Sequence, residues 1–446
     1  MGELVQRLAL RDYQRRAVRE VADAYRAGSR AILLVMPTGA GKTVTGLRFG
    51  LGALDKGKRV LWLAHRRELV QQAAARLDRD GVAHGVIYDG KSSTNPSAAI
   101  QVASVWTVAQ NDGPRGDVLI WDEAHHAVAN TFREVSARYP QAFHLGLTAT
   151  PERADHTGLG DVFTRMVAPV TVPELIEAGH LIPCDVIGPA RVTDTLSMDP
   201  ADAVETYADG RQTVVFAANR AECEEITDAL NARGIRSVFI DGTMPVRRRE
   251  EALRAFEAKT IQVIINVYVL TEGWDVPETA VCVLARKCGA AGTFLQMVGR
   301  VLRPAPGKER ALLVDLCGVV HQHGLPDEAR EYSLDGKPIK TKDARLALRQ
   351  CPECGGVDKP RPTCMRCDFR FPPPKRREVE RTELARVNVP PRAQLIAEWR
   401  ALVLTARSRT TREGKPYSPK WAALRFKEQF GFWPPRDFPR AHEVAA

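Results

Sequence analysis

Long apolar stretches are missing from this sequence of 446 residues. The longest apolar runs, AILLVM at 31–36 and VIINVYVL at 263–270, are far shorter than the roughly 20 residues that a membrane-spanning helix needs. The amino terminus, MGELVQRLAL, has no apolar segment of signal-peptide length. We therefore expect a cytoplasmic protein that does not contact a membrane.

Cysteine is too scarce for a disulfide scaffold, because only nine cysteines are spread over the whole chain. In a reducing compartment these residues are expected as thiols or metal ligands. Hydrophobic residues make up 44% of the sequence and charged residues 26%, which is ordinary for a globular protein and argues against wholesale disorder. The length exceeds one ordinary core and predicts two or three domains.

The sequence has no excess of negative charge, and its excess of positive charge is confined to the carboxyl-terminal end. Residues 341–446 hold 23 Lys and Arg against 12 Asp and Glu, whereas the rest of the chain holds 41 against 42. A polyanionic partner is the natural interpretation of such a region. The alternative is a solvated basic tail.

Short apolar runs alternate with helical patterns over residues 1–185 and again over 211–317. The predicted strands of the first part are AILLVM (31–36), RVLWLAH (59–65), AIQVAS (99–104), DVLIWD (117–122) and FHLGLTA (143–149). Those of the second part are TVVFAA (213–218), SVFID (237–241), QVIINV (262–267), AVCVLA (280–285) and RALLVDL (310–316). Buried strands that alternate with helices are typical of parallel sheets in α/β proteins.

The α/β pattern stops after about residue 335, and a Cys-rich segment, a Pro-stiffened basic connector FPPPKRR (371–377) and an aromatic, basic end follow. We predict a linker at 186–210. The predicted domains are two α/β lobes, a small Cys-rich module and a small basic domain, at residues 1–185, 186–335, 345–375 and 376–446.

The segment MPTGAGKT at 36–43 follows an apolar strand and opens a helical pattern. Glycines 39 and 41 let backbone N–H groups curl around phosphate oxygens at a helix N-terminus. The Lys42 charge suits the β- and γ-phosphates of a nucleotide, and the Thr43 hydroxyl suits Mg²⁺. The predicted nucleotide-binding residues are Thr38, Gly39, Ala40, Gly41, Lys42 and Thr43. Position 36 holds Met instead of the first glycine of the usual phosphate-loop pattern.

An acidic pair in WDEAHH (121–126) ends a second apolar strand, as a partner of the phosphate loop should. Asp122 is predicted to hold Mg²⁺ through its water shell, and Glu123 to orient or deprotonate the attacking water. The alternative is an acidic strand end that merely caps a helix. For His125 and His126 we favour packing or coupling at this site over metal binding.

These segments and others in the same order resemble superfamily 2 helicases. The matching segments are LRDYQRRAV (10–18), MPTGAGKT, LAHRRELVQQ (63–72), DEAH, LTATP (147–151), VVFAANR (214–220) with DGTM (241–244), EGWDVP (272–277) and QMVGRVLRP (296–304). The resemblance covers roughly residues 5–318 and implies two tandem RecA-like lobes. Its details are closer to repair, restriction and phage DNA motors than to DEAD-box RNA helicases.

The resemblance assigns nucleotide contacts outside the phosphate loop. Gln14 would read the adenine edge, with Arg11 beside it. Gly273 and Asp275 would sense the nucleotide from the second lobe, and Gln296 would also belong to its nucleotide-binding residues. Two further residues, Thr148 and Thr150, would link the nucleotide state to the other lobe.

The same resemblance implies that Arg300 and Arg303 reach across the cleft to the γ-phosphate, where guanidinium groups stabilise the charge that phosphoryl transfer builds. The spacing of Gln296, Gly299, Arg300 and Arg303 predicts that they share one helical face. The alternative is a surface face of salt bridges.

Nucleic-acid contacts are implied at Arg66 and Arg67 in the first lobe and at Asn219 and Arg220 in the second. Generic surface charge is the alternative for these four residues. With half of the site on each lobe, nucleotide binding would close the cleft and hydrolysis would let it open, so that the lobes alternate their grip on a strand.

Four cysteines, Cys351, Cys354, Cys364 and Cys367, form a C-x2-C-x9-C-x2-C pattern. Two such pairs with a turn-rich spacer suit tetrahedral Zn²⁺ in a zinc ribbon. Two disulfides or an iron–sulfur cluster are the alternatives. The other five cysteines are expected as small core residues.

The aromatic residues of the basic end, Trp399, Trp421, Phe426, Phe430, Phe432 and Trp433, are interleaved with Arg and Lys. They suit either base stacking or the core of a small helical domain, and we favour the core.

The predicted function is nucleic-acid-dependent ATP hydrolysis, with ATP, Mg²⁺ and Zn²⁺, that drives DNA unwinding, translocation or remodelling. Single-stranded or branched DNA is the expected partner, with protein partners from replication, repair or defence. The alternatives are an RNA helicase, a motor subunit of a restriction or defence complex, and an adaptor for which ATP is only a switch.

Overall fold

The computed structural model describes residues 9–89, 92–111, 113–126, 129–153, 158–193, 195–271, 274–335, 340–341, 348–359, 361–371, 392–408, 410, 417–430, 433–435 and 438–439. The chain divides into two compact units, Met1–Pro373 and Pro374–Ala446. None of the helices in these ranges is long and apolar enough to span a membrane.

The first lobe is built on a parallel sheet with seven described strands. In chain order these strands are β1 (Ala31–Val35), β2 (Val60–Ala64), β3 (His84–Ile87), β4 (Ile100–Ser104), β5 (Val118–Trp121), β6 (Phe143–Thr148) and β7 (Arg165–Val167). Across the sheet they lie in the order β3-β4-β2-β5-β6-β1-β7. The central strands are buried along their whole length, which is why they read as continuous apolar runs.

Six described helices belong to this lobe, namely α1 (Asp12–Arg26), α2 (Lys42–Leu54), α3 (Arg67–Arg79), α4 (Val105–Gln110), α5 (Ala129–Arg138) and α6 (Val172–Glu177). Helix α1 buries one apolar stripe, with Ala17, Val21 and Ala24 facing the core, and leaves its charged residues outside. The buried residues of α1 share a hydrophobic cluster with those of α2, and α2 packs on the sheet through Leu47 and Leu51.

The second lobe has a parallel sheet of six described strands. They are β8 (Cys184–Ile187), β9 (Thr213–Ala217), β10 (Ser237–Ile240), β11 (Val263–Asn266), β12 (Val281–Ala285) and β13 (Ala311–Asp315), in the order β10-β11-β9-β12-β13-β8. The described helices are α7 (Pro200–Tyr207), α8 (Arg220–Ala232), α9 (Val246–Glu257), α10 (Ala291–Val298) and α11 (Val320–His323). A short antiparallel pair, β14 (Arg330–Glu331) and β15 (Lys340–Thr341), follows.

The Cys-rich segment packs on the edge of the second sheet. Its strands β16 (Arg349–Gln350) and β17 (Val357–Asp358) form an antiparallel pair. Gly356 makes an antiparallel bridge with Ile187 of β8, and the Gln350 side-chain amide donates to the Gly188 carbonyl at 2.6 Å. The segment therefore covers an edge strand that would otherwise leave its backbone groups open.

The second unit contains two described helices, α12 (Arg392–Ser408) and α13 (Pro419–Phe430), packed against each other. Trp399 and Phe426 lie in the core between them. Trp433 is 54% exposed, and Phe432 lies outside the described residues. For the two buried rings the core interpretation is therefore confirmed.

All ten predicted strands are confirmed, and the fold is the predicted pair of α/β lobes with parallel sheets. Three strands of the two parallel sheets, β3, β7 and β8, were not predicted, nor were the two-residue strands β14 to β17. Strands β3 and β7 lie at sheet edges and are only partly buried. The linker predicted at 186–210 is wrong. It begins inside β8, which crosses the predicted boundary between residues 185 and 186, and it includes α7.

Candidate functional site

The candidate site lies where the central strands of the first sheet end. Strands β1, β5 and β6 are parallel neighbours, so their carboxyl ends meet at one edge of the sheet. The phosphate loop follows β1, the acidic pair follows β5, and Thr148 ends β6. Ligands of open α/β sheets bind outside this edge.

The phosphate loop needs glycine at two positions. Gly39 has φ of 84° and Gly41 has φ of 78°, a region that side chains with a Cβ rarely adopt. Gly41 precedes the first residue of α2, and no described side chain caps this helix. The first N–H groups of α2 are thus suited to an anion, as predicted.

Gln14 lies against the phosphate loop, with Arg11 beside Gln14. The Gln14 amide donates to the Ala40 carbonyl at 3.1 Å and accepts from the Arg11 backbone N–H at 3.0 Å. Tyr13 donates to the same Ala40 carbonyl at 3.0 Å. These contacts hold the loop to α1. Adenine recognition by Gln14 stays a prediction.

Lys42 and the acidic pair come together in front of the loop. The Lys42 Nζ is 3.7 Å from Glu123 Oε1, and the Glu123 backbone N–H donates to Asp122 Oδ1 at 3.1 Å. Glu123 itself has a positive φ of 47°, an uncommon conformation that turns the chain directly after β5. The carboxylates and the Thr43 hydroxyl are hard oxygen donors, which are the ligands that Mg²⁺ prefers.

His125 joins the two lobes through hydrogen bonds. Its Nε2 lies 3.1 Å from Gln296 Nε2, and its Nδ1 lies 3.0 Å from Thr148 Oγ1. Because a glutamine amide nitrogen only donates, His125 Nε2 accepts and Nδ1 carries the proton. Thr148 in turn donates to the Thr150 carbonyl at 2.7 Å. His125 therefore links DEAH, LTATP and the second lobe, and this role fits coupling better than metal binding.

The arginines reach the cleft by a different geometry from the predicted one. Helix α10 ends at Val298, so Gln296 is helical while Arg300 and Arg303 lie in the turn beyond. The prediction of one shared helical face is wrong. At Gly299, the residue after the helix, a Cβ would come within 2.5 Å of the Thr38 Cβ of the phosphate loop, so the close approach of the two lobes requires glycine there.

Arg303 lies directly against the phosphate loop, since its Cγ would be 3.4 Å from a Cβ on Gly39. It forms an ion pair with Asp275. Burial lowers the pKa of Arg303 to about 10, so the side chain stays cationic at neutral pH. Arg300 is 8% exposed and donates to the backbone carbonyl of Trp274. The predicted Gly273 lies outside the described residues.

Lys308 is a residue that the sequence reasoning missed. Its Nζ donates to the Pro277 carbonyl at 2.8 Å and to the Arg303 carbonyl at 2.7 Å. Burial, together with the neighbouring Arg303 charge, lowers the pKa of Lys308 to about 7. Lys308 thus ties the Arg303 turn to the segment after Asp275. No sequence motif marks it, because its partners are backbone carbonyls.

The four predicted nucleic-acid residues occupy equivalent positions in the two lobes. Arg66 and Arg67 stand where β2 passes into α3, and Asn219 and Arg220 stand where β9 passes into α8. Asn219 also caps α8 by accepting from the Glu222 N–H at 3.0 Å. Their contacts with nucleic acid stay predictions.

Two of these arginines have neighbours that hold them in place. Arg220 forms ion pairs with Glu224 at 3.0 Å and Asp241 at 3.1 Å. Arg67 lies over the Tyr88 ring at 5.5 Å from the ring centroid. Arg67 is exposed, so its guanidinium remains reachable from solvent.

The cysteine cluster has the dimensions of a zinc site. The four sulfur atoms lie within 4.8 Å of one another, and the pairs Cys351–Cys367 and Cys354–Cys364 are 3.6 and 3.7 Å apart. A regular tetrahedron with Zn–S bonds of about 2.3 Å has sulfur–sulfur edges of about 3.8 Å. These separations fit zinc and are far too long for disulfide bonds.

The other five cysteines, Cys184, Cys223, Cys282, Cys288 and Cys317, are all buried and free, as expected for small core residues. Burial raises the pKa of the Cys223 and Cys317 thiols to about 11. They are therefore poor thiolates and poor metal ligands.

Two family models match the chain, one on each lobe. The model described as "Type III restriction enzyme, res subunit" matches residues 7–153, and "Helicase conserved C-terminal domain" matches residues 199–305. Together they include the phosphate loop, the acidic pair, Gln296 and both arginines, but not Lys308.

The chain is similar to several curated proteins. A 51.5 kDa protein of a Lactococcus phage is 28% identical over 349 residues, covering 73% of this chain and 75% of the phage protein. The putative ATP-dependent helicase IRC3 of Saccharomyces cerevisiae is 27% identical, covering 69% of this chain but only 51% of the yeast protein. The DNA 3'-5' translocase XPB2 of Sulfurisphaera tokodaii is 25% identical, with 70% and 82% covered.

Solved structures share the fold. A fragment of a putative HsdR subunit of a type I restriction enzyme from Vibrio vulnificus has a TM-score of 0.55 at 23% identity, covering 73% of this chain and 66% of that one. The DUF1998 helicase MrfA bound to DNA has a TM-score of 0.56 at 19% identity, covering 71% and 51%.

Proposed function

The chain belongs to the superfamily 2 helicases, and we propose that it is an ATP-driven DNA translocase or helicase. The observation that carries this proposal is a nucleotide site shared between the lobes. Gln296 of the second lobe bonds to His125 of the first, and Arg303 lies against the phosphate loop. A site completed only when the lobes meet can turn hydrolysis into lobe movement.

Each residue of the site has a proposed chemical task. The backbone of the phosphate loop and Lys42 bind the β- and γ-phosphates. Thr43 and Asp122 would hold Mg²⁺, which would supply neutralisation of phosphate charge. Glu123 accepts a proton from the attacking water, and its separation of 3.7 Å from Lys42, the proposed phosphate ligand, supports this role. Arg303 stabilises charge on the transferred phosphoryl group from the opposite lobe.

DNA is the proposed partner, because the similar proteins include a DNA translocase and the basic charge is concentrated at one end of the chain. The test is steady-state ATP hydrolysis with single-stranded DNA, blunt duplex, forked DNA and single-stranded RNA. We expect the largest stimulation with single-stranded or forked DNA. Stimulation by RNA alone would favour an RNA helicase, and binding without turnover would favour an ATP-switched adaptor.

A role as motor of a restriction or defence complex is the second candidate. It is favoured by the match of residues 7–153 to a restriction-enzyme subunit model. DNA cleavage only after addition of a partner nuclease, together with ATP-dependent movement of the chain alone, would support this candidate.

We propose that Cys351, Cys354, Cys364 and Cys367 bind one structural zinc ion. Purified protein is expected to contain one zinc per chain, and Cys364→Ser is expected to lose it. Because thiolate ligation folds small ribbons that have little apolar core, the loss should unfold this segment and uncover β8. The measurement is elemental analysis with limited proteolysis.

The matched control for the zinc prediction is Cys223→Ala, which removes a buried thiol outside the cluster and should retain one zinc. Nucleotide binding should survive in Cys364→Ser, because each lobe contains a buried cluster to which the Cys-rich segment does not contribute. Protein that contains iron with visible absorbance, or no metal with full protease resistance, would contradict the proposal.

We propose that the basic carboxyl-terminal region attracts DNA phosphates. Residues 374–446 hold 16 Lys and Arg against 8 Asp and Glu. Removing them is expected to weaken DNA binding and to flatten its salt dependence, since each lost phosphate contact changes the log–log slope by about 0.9 for duplex and about 0.7 for a single strand. The measurement is DNA affinity across a salt series, with ATP binding unchanged.

A gentler variant separates charge from folding. Lys420, Arg425 and Lys427 are exposed on α13 around the buried Phe426, so changing all three to Gln should keep the helix packed. The log–log salt slope should decrease by the amount that corresponds to about two to three lost phosphate contacts. Arg30, Lys56 and Lys58 precede β1 and β2 at the opposite edge of the first sheet, and the same change there is the control. If all variants have the same salt slope, the basic region does not contact DNA phosphates and its charge faces solvent.

A further inference from the structure

Strands β4 and β11 occupy the same place in the two sheets. The first sheet begins β3-β4-β2-β5 and the second begins β10-β11-β9-β12, with all neighbours parallel. Each of these strands is therefore second from an edge, beside the strand that leads into the arginine-bearing helix. An aromatic residue follows each strand at the same distance, Trp106 two residues after Ser104 and Tyr268 two residues after Asn266.

Both aromatic rings are unusually open to solvent. Trp106 is 50% exposed and Tyr268 is 46% exposed, whereas Trp62, Trp121 and Trp274 in the same two lobes are at most 5% exposed. Single exposed apolar residues are common and need no explanation. Two of them at equivalent positions of duplicated lobes, on the edge that carries the candidate site, do need one.

Basic residues stand beside each ring along the same edge. Arg66 and Arg67 follow β2, the neighbour of β4, and Arg220 follows β9, the neighbour of β11. Helix N-termini with cations suit phosphate oxygens, and exposed aromatic faces suit bases. Each lobe thus pairs a phosphate-binding element with a stacking surface.

Trp106 lies away from the phosphate loop but close to the catalytic residues of the first lobe. Strands β2 and β5 separate β4 from β6 and β1, so Trp106 cannot be an adenine platform for a nucleotide on the phosphate loop. Trp106 nevertheless lines a small crevice with His65, His126 and Glu123. A strand held at Trp106 would therefore lie next to the hydrolytic residue.

Tyr268 is held in place by Arg286. The guanidinium lies 3.7 Å from the ring centroid and donates to the backbone carbonyls of Ala217 at 3.3 Å and Val267 at 3.1 Å. Such an anchored cation fixes the ring orientation at little entropic cost to a ligand. The lobes also meet on this side of the cleft, where Arg249 of α9 pairs with Glu68 beside Arg67.

We propose that Trp106 and Tyr268 are a pair of base-stacking residues, one on each lobe, that grip the bases of a single DNA strand whose phosphates contact the neighbouring arginines. This inference rests on the proposed function. Its mechanical consequence is that both lobes carry a base-holding surface, so that cleft closure moves one stacked base toward the other. Stacking tolerates any base, as a translocating protein requires.

The test compares two strands with the full-length protein. One probe is a single-stranded oligothymidylate, and the other is a strand of equal length made of abasic sites, which keeps the phosphates but removes the bases. Trp106→Ala and Tyr268→Ala are each expected to weaken binding to oligothymidylate by roughly 5- to 100-fold. Binding to the abasic strand should stay within about twofold, since no base is there to stack.

Conservative variants and a control complete the design. Trp106→Phe and Tyr268→Phe should keep most of the affinity, whereas Trp106→Leu, which keeps apolar bulk without a ring, should behave like the alanine variant. Tyr25→Ala is the control, because Tyr25 is 40% exposed near the end of α1, before β1 begins. ATP hydrolysis without DNA, and binding to both probes, should be unchanged in Tyr25→Ala.

The outcomes separate the two proposals. Equal losses on both probes, or no loss on either, would overturn base stacking while leaving DNA-stimulated hydrolysis intact. If the unaltered protein shows no stimulation of ATP hydrolysis by any nucleic acid, the proposed function itself fails. Loss confined to the probe with bases, restored by phenylalanine, is the result that we expect.

Discussion

Glu123→Gln is expected to reduce steady-state ATP hydrolysis by roughly 10²- to 10⁴-fold, the contribution typical of a positioned general base. The amide keeps the shape of the side chain but cannot take a proton from water. ATP binding should persist, because the phosphate loop and Lys42 are unchanged, and the ATP-bound state should accumulate on DNA. The measurements are turnover at saturating DNA and binding of a fluorescent nucleotide.

The matched control for Glu123→Gln is Glu134→Gln, an exposed glutamate on α5 of the same lobe, which should leave turnover unchanged. Lys42→Ala should also lower turnover by roughly 10²- to 10³-fold, because it removes a fixed cation from the transferred phosphoryl group. Unlike Glu123→Gln, it should weaken nucleotide binding as well. Near-normal hydrolysis by either variant would show that the site has been placed wrongly.

Arg303→Ala should lower turnover by roughly 10³-fold or more, as for other arginines that reach a phosphoryl group from a separate element. The side chain lies against Gly39 and remains charged at neutral pH despite its burial. Its removal takes away transition-state charge but leaves the phosphate loop intact. ATP binding should therefore weaken much less than hydrolysis, and single-turnover kinetics with nucleotide titration would separate the two.

Arg310→Ala is the control for this variant, because Arg310 is exposed at the amino end of β13 and pairs with Asp185 rather than with the cleft. Arg300→Ala should lower turnover to a similar extent. Since the Arg300 guanidinium binds the Trp274 carbonyl, its loss should also lower the melting temperature. Full activity of Arg303→Ala would contradict a nucleotide site shared between lobes.

The strands and the phosphate loop were predictable because their signals are local. A strand buried on both faces must be apolar throughout, so runs such as 31–36 and 281–285 can be recognised as strands in the sequence. The edge strands β3 and β7 were not predicted, because each is partly exposed to solvent and its sequence is not a continuous apolar run. The motif residues followed from chemistry that needs particular side chains at fixed spacing.

The course of the chain after Gln296 was not predictable in this way. Residue spacing suggested a continuous helix through Arg303, yet the helix ends at Val298, and the first lobe approaches Gly299 so closely that no side chain would fit there. Strand β8 was not predictable either, because its partner β13 lies far along the chain. The role of Lys308 was not predictable, because its partners are backbone carbonyls.

By itself the sequence determined which chemistry the chain carries: a phosphate loop, an acidic pair, two arginines, four paired cysteines and a basic end. Those depend on residue type and short spacing, which folding does not change. Only the tertiary structure decided which residues meet. His125 joins Gln296 across the cleft, Arg303 lies against the phosphate loop, and Trp106 and Tyr268 take equivalent places because two sheets share one strand order. Such pairings join residues far apart in the chain, and only packing of the sheets brings them together.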